Sequence, residues 1–192
     1  MESRAKDMAE LRALVEQLQY PRNNLLVVLS AATFIDDEVI RRMERVAECK
    51  YQFKDYGEVV IHPDDIAKTL KDKTARGKVM LSAIWMGIRD IGCEPFELVK
   101  DFSKHRQLFD SLMTKQSWYR YAKVVRNSLR HNKKLDLKEH GTVSDVIWGS
   151  RKIPAAAHGK PLTFEHFGPG DWFVLHTEIV KFALSLPAKA KD

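Results

Sequence analysis

The chain has 192 residues, of which 44% are apolar and 30% charged, values that exclude a disordered, collagen-like or disulfide-stapled class and suit one domain with a closed core. Nine Gly and seven Pro are few for this length, which favours helices. The net charge of +6 is concentrated: Lys+Arg against Asp+Glu is 16 to 17 in residues 1–100, 10 to 4 in residues 101–140 and 6 to 5 in residues 141–192, so one window presents a surface suited to a polyanion.

In chain order, Met8, Leu11, Leu14, Val15 and Leu18 recur at helical spacing and Pro21 stops the pattern, predicting a first amphipathic helix over 5–19. A second is expected from Asn24 to Cys49, broken near Asp36 and Asp37, where Asp is a good N-cap. The apolar run from Leu25 to Ile35 is too short for a membrane span and reads as buried helix. The acidic residues through the first eighteen positions argue against a signal peptide, so a cytoplasmic protein is expected. Glu58–Ile61 reads as a short strand or extended loop, and His62-Pro63-Asp64-Asp65 as a helix start.

Residues 75–90 are apolar around much of a helical circumference, with Gly92 as the expected end, and a further helix is predicted from Pro95 to Leu112. Trp118–His131 forms a basic helix. After Gly141 the turn residues concentrate: VSDVIWGSRKI reads as a hairpin or extended segment, PAAAHGKP and GPG as loops, and Trp172–Leu186 as a closing helix. The expected architecture is an all-α helical bundle in one domain over 1–192, with an irregular loop or short hairpin before its last helix.

Cys49 and Cys93 lack CxxC spacing and any nearby histidine pair, so both are expected to be buried free thiols, with no metal site and no cofactor. On the basic helix, Trp118, Tyr121, Ala122, Val125 and Leu129 share one arc that must face the core. Tyr119, Arg120, Lys123, Arg126, Asn127, Arg130, His131 and Lys133 fall on the other side. Within Arg126-Asn127-Ser128-Leu129-Arg130-His131, Asn127 and His131 share a face four residues apart. Imidazole, guanidinium and amide are the groups that phosphodiester cleavage without a metal requires. Arg five residues before His arises by chance about 0.5 times in such a composition, and Asn directly after the Arg lowers this to about 0.01.

The Arg-Asn-x-x-x-His core resembles the signature of the HEPN superfamily, compact α-helical bundles that include many metal-independent endoribonucleases of toxin–antitoxin, CRISPR and antiphage systems. The resemblance covers about residues 56–192, with 1–55 as an N-terminal extension. It implies Arg126 and His131 as the catalytic pair, Asn127 as the polar residue beside them, and a homodimer bringing two motifs into one cleft. Lys133 stands where one toxin branch carries Tyr, so that branch's regulatory scheme does not carry over.

The resulting expectation is an endoribonuclease acting through Arg126, Asn127 and His131, with Arg120, Lys123, Arg130, Lys133 and Lys134 holding the RNA backbone. An antitoxin or sensor protein is a possible companion, and no membrane partner is expected. The alternative is a non-catalytic HEPN-like domain that binds RNA, nucleotides or protein. His176-Thr177-Glu178 lacks the PCxxC of a zinc deaminase, His158, Glu165 and His166 read as loop polarity, and Trp85 and Trp148 read as core.

Overall fold

The computed structural model describes residues 2–46, 48–53, 57–131 and 134–186. It is mostly helical, with α1 (Glu2–Phe34), α2 (Asp37–Met43), α3 (Pro63–Lys71), α4 (Lys73–His105), α5 (Tyr119–Arg130) and α6 (Pro169–Ser185). The strands pair as three antiparallel hairpins: β1 (Cys49–Phe53) with β2 (Gly57–Ile61), β3 (Lys138–Glu139) with β4 (Thr142–Val143), and β5 (Val146–Trp148) with β6 (Arg151–Ile153). The chain divides into two compact units, one of Met1–Leu25 with Gly87–Asp192 and the other Leu26–Met86. A single unit was expected, with an extension ending at about residue 55; that boundary falls inside the second unit, beside residues 54–56, which lie outside the described ones.

In the first unit, α1 does not stop at Pro21 as the sequence suggests; it runs through it. Leu14, Leu18, Pro21 and Leu25 are all buried and follow one another by four, three and four residues, so the packed stripe keeps its phase across the proline. Burial of that stripe offsets the hydrogen bond that Pro21 cannot donate. Likewise α4 is one helix through Gly92 and Pro95, not two. Gly92 is there for space: a Cβ would lie 2.5 Å from Leu129 Cδ1 and 3.3 Å from Phe167 Cε1. Glycine thus lets α4 approach α5 closely instead of ending the helix.

The five residues expected on the core arc, Trp118 just before α5 and Tyr121, Ala122, Val125 and Leu129 within it, are buried, and Val124 and Ser128 join them. Tyr121 packs on Trp148, with ring centroids 5.2 Å apart, and its hydroxyl donates to the His166 carbonyl. Trp118 meets Phe182 of α6 edge-on at 5.7 Å. The segment before α6 is ordered by its own polar contacts. Asp145 accepts from the Ala155 N–H at 2.7 Å, Trp172 Nε1 donates to the Phe167 carbonyl at 2.9 Å, and Arg151 lies over the Trp148 ring while pairing with Asp171. Gly149, at φ +58, supplies the left-handed turn between β5 and β6 that L-residues resist.

The second unit has a small core of Ile40, Ala67 and Leu70, with Ile35, Met43 and Met80 against it. Asp36 caps α2 as expected, its Oδ1 accepting from the N–H groups of Glu38 and Val39 at 2.9 and 2.8 Å. Cys49 does not close a helix. It opens β1 opposite Ile61, and it is half-buried instead of fully buried. No helix among the described residues is long and apolar enough to cross a membrane.

Candidate functional site

The motif sits at the end of α5, where it packs against α4 in the first unit. Arg126 and Asn127 lie in the last turn and a half of the helix. His131 is its C-cap, at φ −116 and ψ 84, with its backbone N–H bonded to the Asn127 carbonyl at 2.8 Å. The cap turns the chain out of the helix and leaves the His131 side chain exposed. Asn127 and His131 are therefore linked through the backbone.

Arg126 is held from two sides. Its guanidinium donates to Asn127 Oδ1 at 2.7 Å and forms an ion pair with Glu97 of α4. The Arg126 and Glu97 side chains are only 18% and 13% exposed. Glu97 also takes a hydrogen bond from Lys100, and Arg130 lies 3.9 Å from it and 3.8 Å from Glu94. Burial alone would raise the Glu97 carboxyl, but the Lys100 hydrogen bond and the charges of Arg126, Lys100 and Arg130 outweigh it and hold it below the ordinary carboxylate range. Glu97 stays ionised and neutralises much of the charge that Arg126 would otherwise present.

Beneath this network lies Cys93, whose thiol donates to the Arg126 carbonyl at 3.8 Å. Burial pushes that thiol up to about 11, against the pull of Arg130, Arg89 and Arg126, so at neutral pH it is a protonated packing group and not a nucleophile.

The proposed RNA-holding residues separate into two groups. Arg120 is occupied: it donates to Ser144 Oγ at 2.7 Å and to the Asp145 carbonyl at 3.1 Å, and pairs with Glu139 at 2.8 Å. It fastens α5 to the hairpin region. Lys123 and Lys134 are exposed, and neither forms an ion pair among the described residues. Lys133 lies outside those residues.

Glu97 is the residue that sequence reasoning passed over. Its signal was its place three and four residues from Glu94 and Cys93, on the face of α4 that α5 covers. Three other histidines of the first unit are committed to structure. His158 Nδ1 accepts from the Leu137 N–H at 3.1 Å, His166 Nδ1 lies 3.0 Å from the Thr163 hydroxyl, and buried His176 bonds the Leu18 carbonyl through Nε2 at 2.6 Å. Among the described residues no group of three or more His, Cys, Asp or Glu is placed to hold a metal ion. Comparison with protein-family models, curated proteins and solved structures finds no match.

Proposed function

We propose that the chain is a HEPN-like, metal-independent endoribonuclease of the toxin or antiphage-defence type, working as a homodimer in the cytoplasm. The observation that carries the reading is an imidazole, His131, exposed at the end of a helix whose preceding turn holds Asn127 and Arg126 in fixed positions. In the proposed reaction His131 takes the proton of a ribose 2′-OH as that oxygen attacks the adjacent phosphorus. The bond from phosphorus to the 5′ oxygen breaks, and the leaving oxygen takes a proton from the His131 of a second copy. Arg126, kept in place by Glu97 and Asn127, stabilises the charge on the phosphoryl oxygens. Lys123 and Lys134 grip the backbone without reading sequence.

Incubating the purified protein with RNA in EDTA should give fragments ending in a 2′,3′-cyclic phosphate, and His131→Ala should give none. Absence of such fragments, or their persistence in His131→Ala, removes the reading.

One observation favours a second reading. Because Glu97 and Asn127 already occupy the Arg126 guanidinium, the same surface suits a non-catalytic domain that binds RNA through its exposed lysines. In that case RNA is bound by both proteins and cut by neither.

A further inference from the structure

The proposed site has an electrostatic deficit at the place where the phosphate must sit. His131 caps a helix C-terminus, where the aligned peptide dipoles leave about half a negative charge. A phosphate drawn to the His131 ring meets this field. The nearest motif arginine, Arg126, is already balanced by Glu97, and Arg130 faces Glu94 and Glu97. Lys134, whose backbone N–H donates to the His131 carbonyl at 3.4 Å, brings one exposed charge to that end of α5, and an RNA phosphate resting there would be held more firmly by a second cation.

The packing of α4 on α5 identifies one. Gly92 lies against Leu129, Cys93 reaches the Arg126 carbonyl, Glu97 pairs with Arg126 and Phe96 stacks near Tyr119. The two helices therefore run antiparallel, and later residues of α4 meet earlier residues of α5. One turn back from Cys93, α4 carries Arg89, on the same face as Cys93 by its i, i+4 spacing. The antiparallel register brings Arg89 level with the C-terminal end of α5, where His131 emerges. Its charge, like those of Arg126 and Arg130, is felt at the Cys93 thiol. Arg89 is exposed, and unlike those two arginines it forms no ion pair among the described residues.

We infer that Arg89 of α4 is the phosphate-binding arginine of this site, holding the RNA backbone beside His131 while Arg126 is balanced by Glu97. The inference rests on the RNA-directed reading above and adds a residue outside the basic window and outside the Arg-Asn-x-x-x-His motif. The bland role for an arginine at this position is to offset the carbonyl end of α5; that role changes stability and leaves RNA affinity untouched.

The test uses RNA binding by the full chain in a His131→Ala background, so that no cleavage intervenes, measured by fluorescence anisotropy on a labelled single-stranded RNA over a series of salt concentrations. Adding Arg89→Ala should weaken binding by about fivefold and lower the slope of log affinity against log salt by about one phosphate contact. Arg89→Lys should keep most of the slope, and Lys181→Ala, removing an exposed charge on α6, should leave it unchanged. An Arg89→Ala protein that binds like its His131→Ala parent overturns the inference and leaves the nuclease reading standing. So does an equal loss in Lys181→Ala, which would reduce the effect to net charge. A parent that fails to bind RNA at all overturns both. Arg89 is exposed, so the variants should fold, and their thermal midpoints report the helix-end role separately.

Discussion

Glu97 of α4 pairs with Arg126 of α5 in a setting where both side chains are mostly shielded from water, and this contact fixes the motif arginine in one position. Lys100 and Arg130 share the same carboxylate, so three cations converge on one anion. The cluster ties the basic helix to its neighbour and lowers the field that the basic window sends into solvent. A guanidinium held in this way is pre-oriented, since Asn127 limits it from the other side.

Removing the carboxylate should therefore be costly. Glu97→Ala leaves Arg126 part-buried without its partner, where the penalty for an unpaired charge exceeds the worth of an exposed pair. A loss of about 1–3 kcal/mol is expected, with Glu97→Gln less damaging because its amide oxygen still accepts a hydrogen bond. Since the folded Glu97 carboxyl lies below its ordinary range, its contribution is present above the unfolded carboxylate pKa and is lost as pH falls through the folded one. Urea titrations at neutral and acidic pH check both points: the gap between wild type and Glu97→Gln should narrow in acid.

The pairing also marks how far the sequence could be read. The core arc of α5 follows from a 3.6-residue period, and the Asp36 cap from local hydrogen-bond chemistry, so Tyr121 and Asp36 were both legible. Pro21 and Gly92 were not, because each is a helix breaker by local propensity and each is overruled by packing: a buried stripe through Pro21, and a close approach of Leu129 and Phe167 at Gly92. On the site, a helical wheel places Arg120 on the polar face but cannot show Ser144, Asp145 and Glu139 closing over it. Glu97 lies twenty-nine residues from Arg126, and its role exists only once α4 and α5 are packed.

Two of the three glycines of α4, Gly77 and Gly92, offer a contrast that separates propensity from space. At Gly77 an added Cβ meets nothing within 4 Å, so Gly77→Ala should stabilise the helix by about 0.5–1 kcal/mol. At Gly92 the same methyl collides with Leu129 Cδ1 and crowds the Phe167 ring, so Gly92→Ala should destabilise by about 1–3 kcal/mol despite the better propensity. Opposite shifts in thermal midpoint are expected. Stabilisation at both sites would show that α4 and α5 are farther apart than this packing has them.

The last prediction concerns His176, buried in α6 with Nε2 donating to the Leu18 carbonyl of α1 at 2.6 Å. Burial disfavours its imidazolium and the charge of Arg22 adds to this; the bond to Leu18 works the other way without compensating, so its pKa lies below the ordinary histidine value. The unfolded chain then binds a proton at a higher pH than the folded one. Stability from this group is complete above the unfolded pKa, about 6.5, and declines as pH falls from there toward the folded pKa. His176→Gln keeps a donor for Leu18 but cannot titrate, so its stability should change less than that of the wild type between pH 7 and pH 5. Denaturation midpoints at several pH values in that range measure the difference. Parallel pH profiles for the two proteins would mean that His176 does not contribute to the acid sensitivity of the fold.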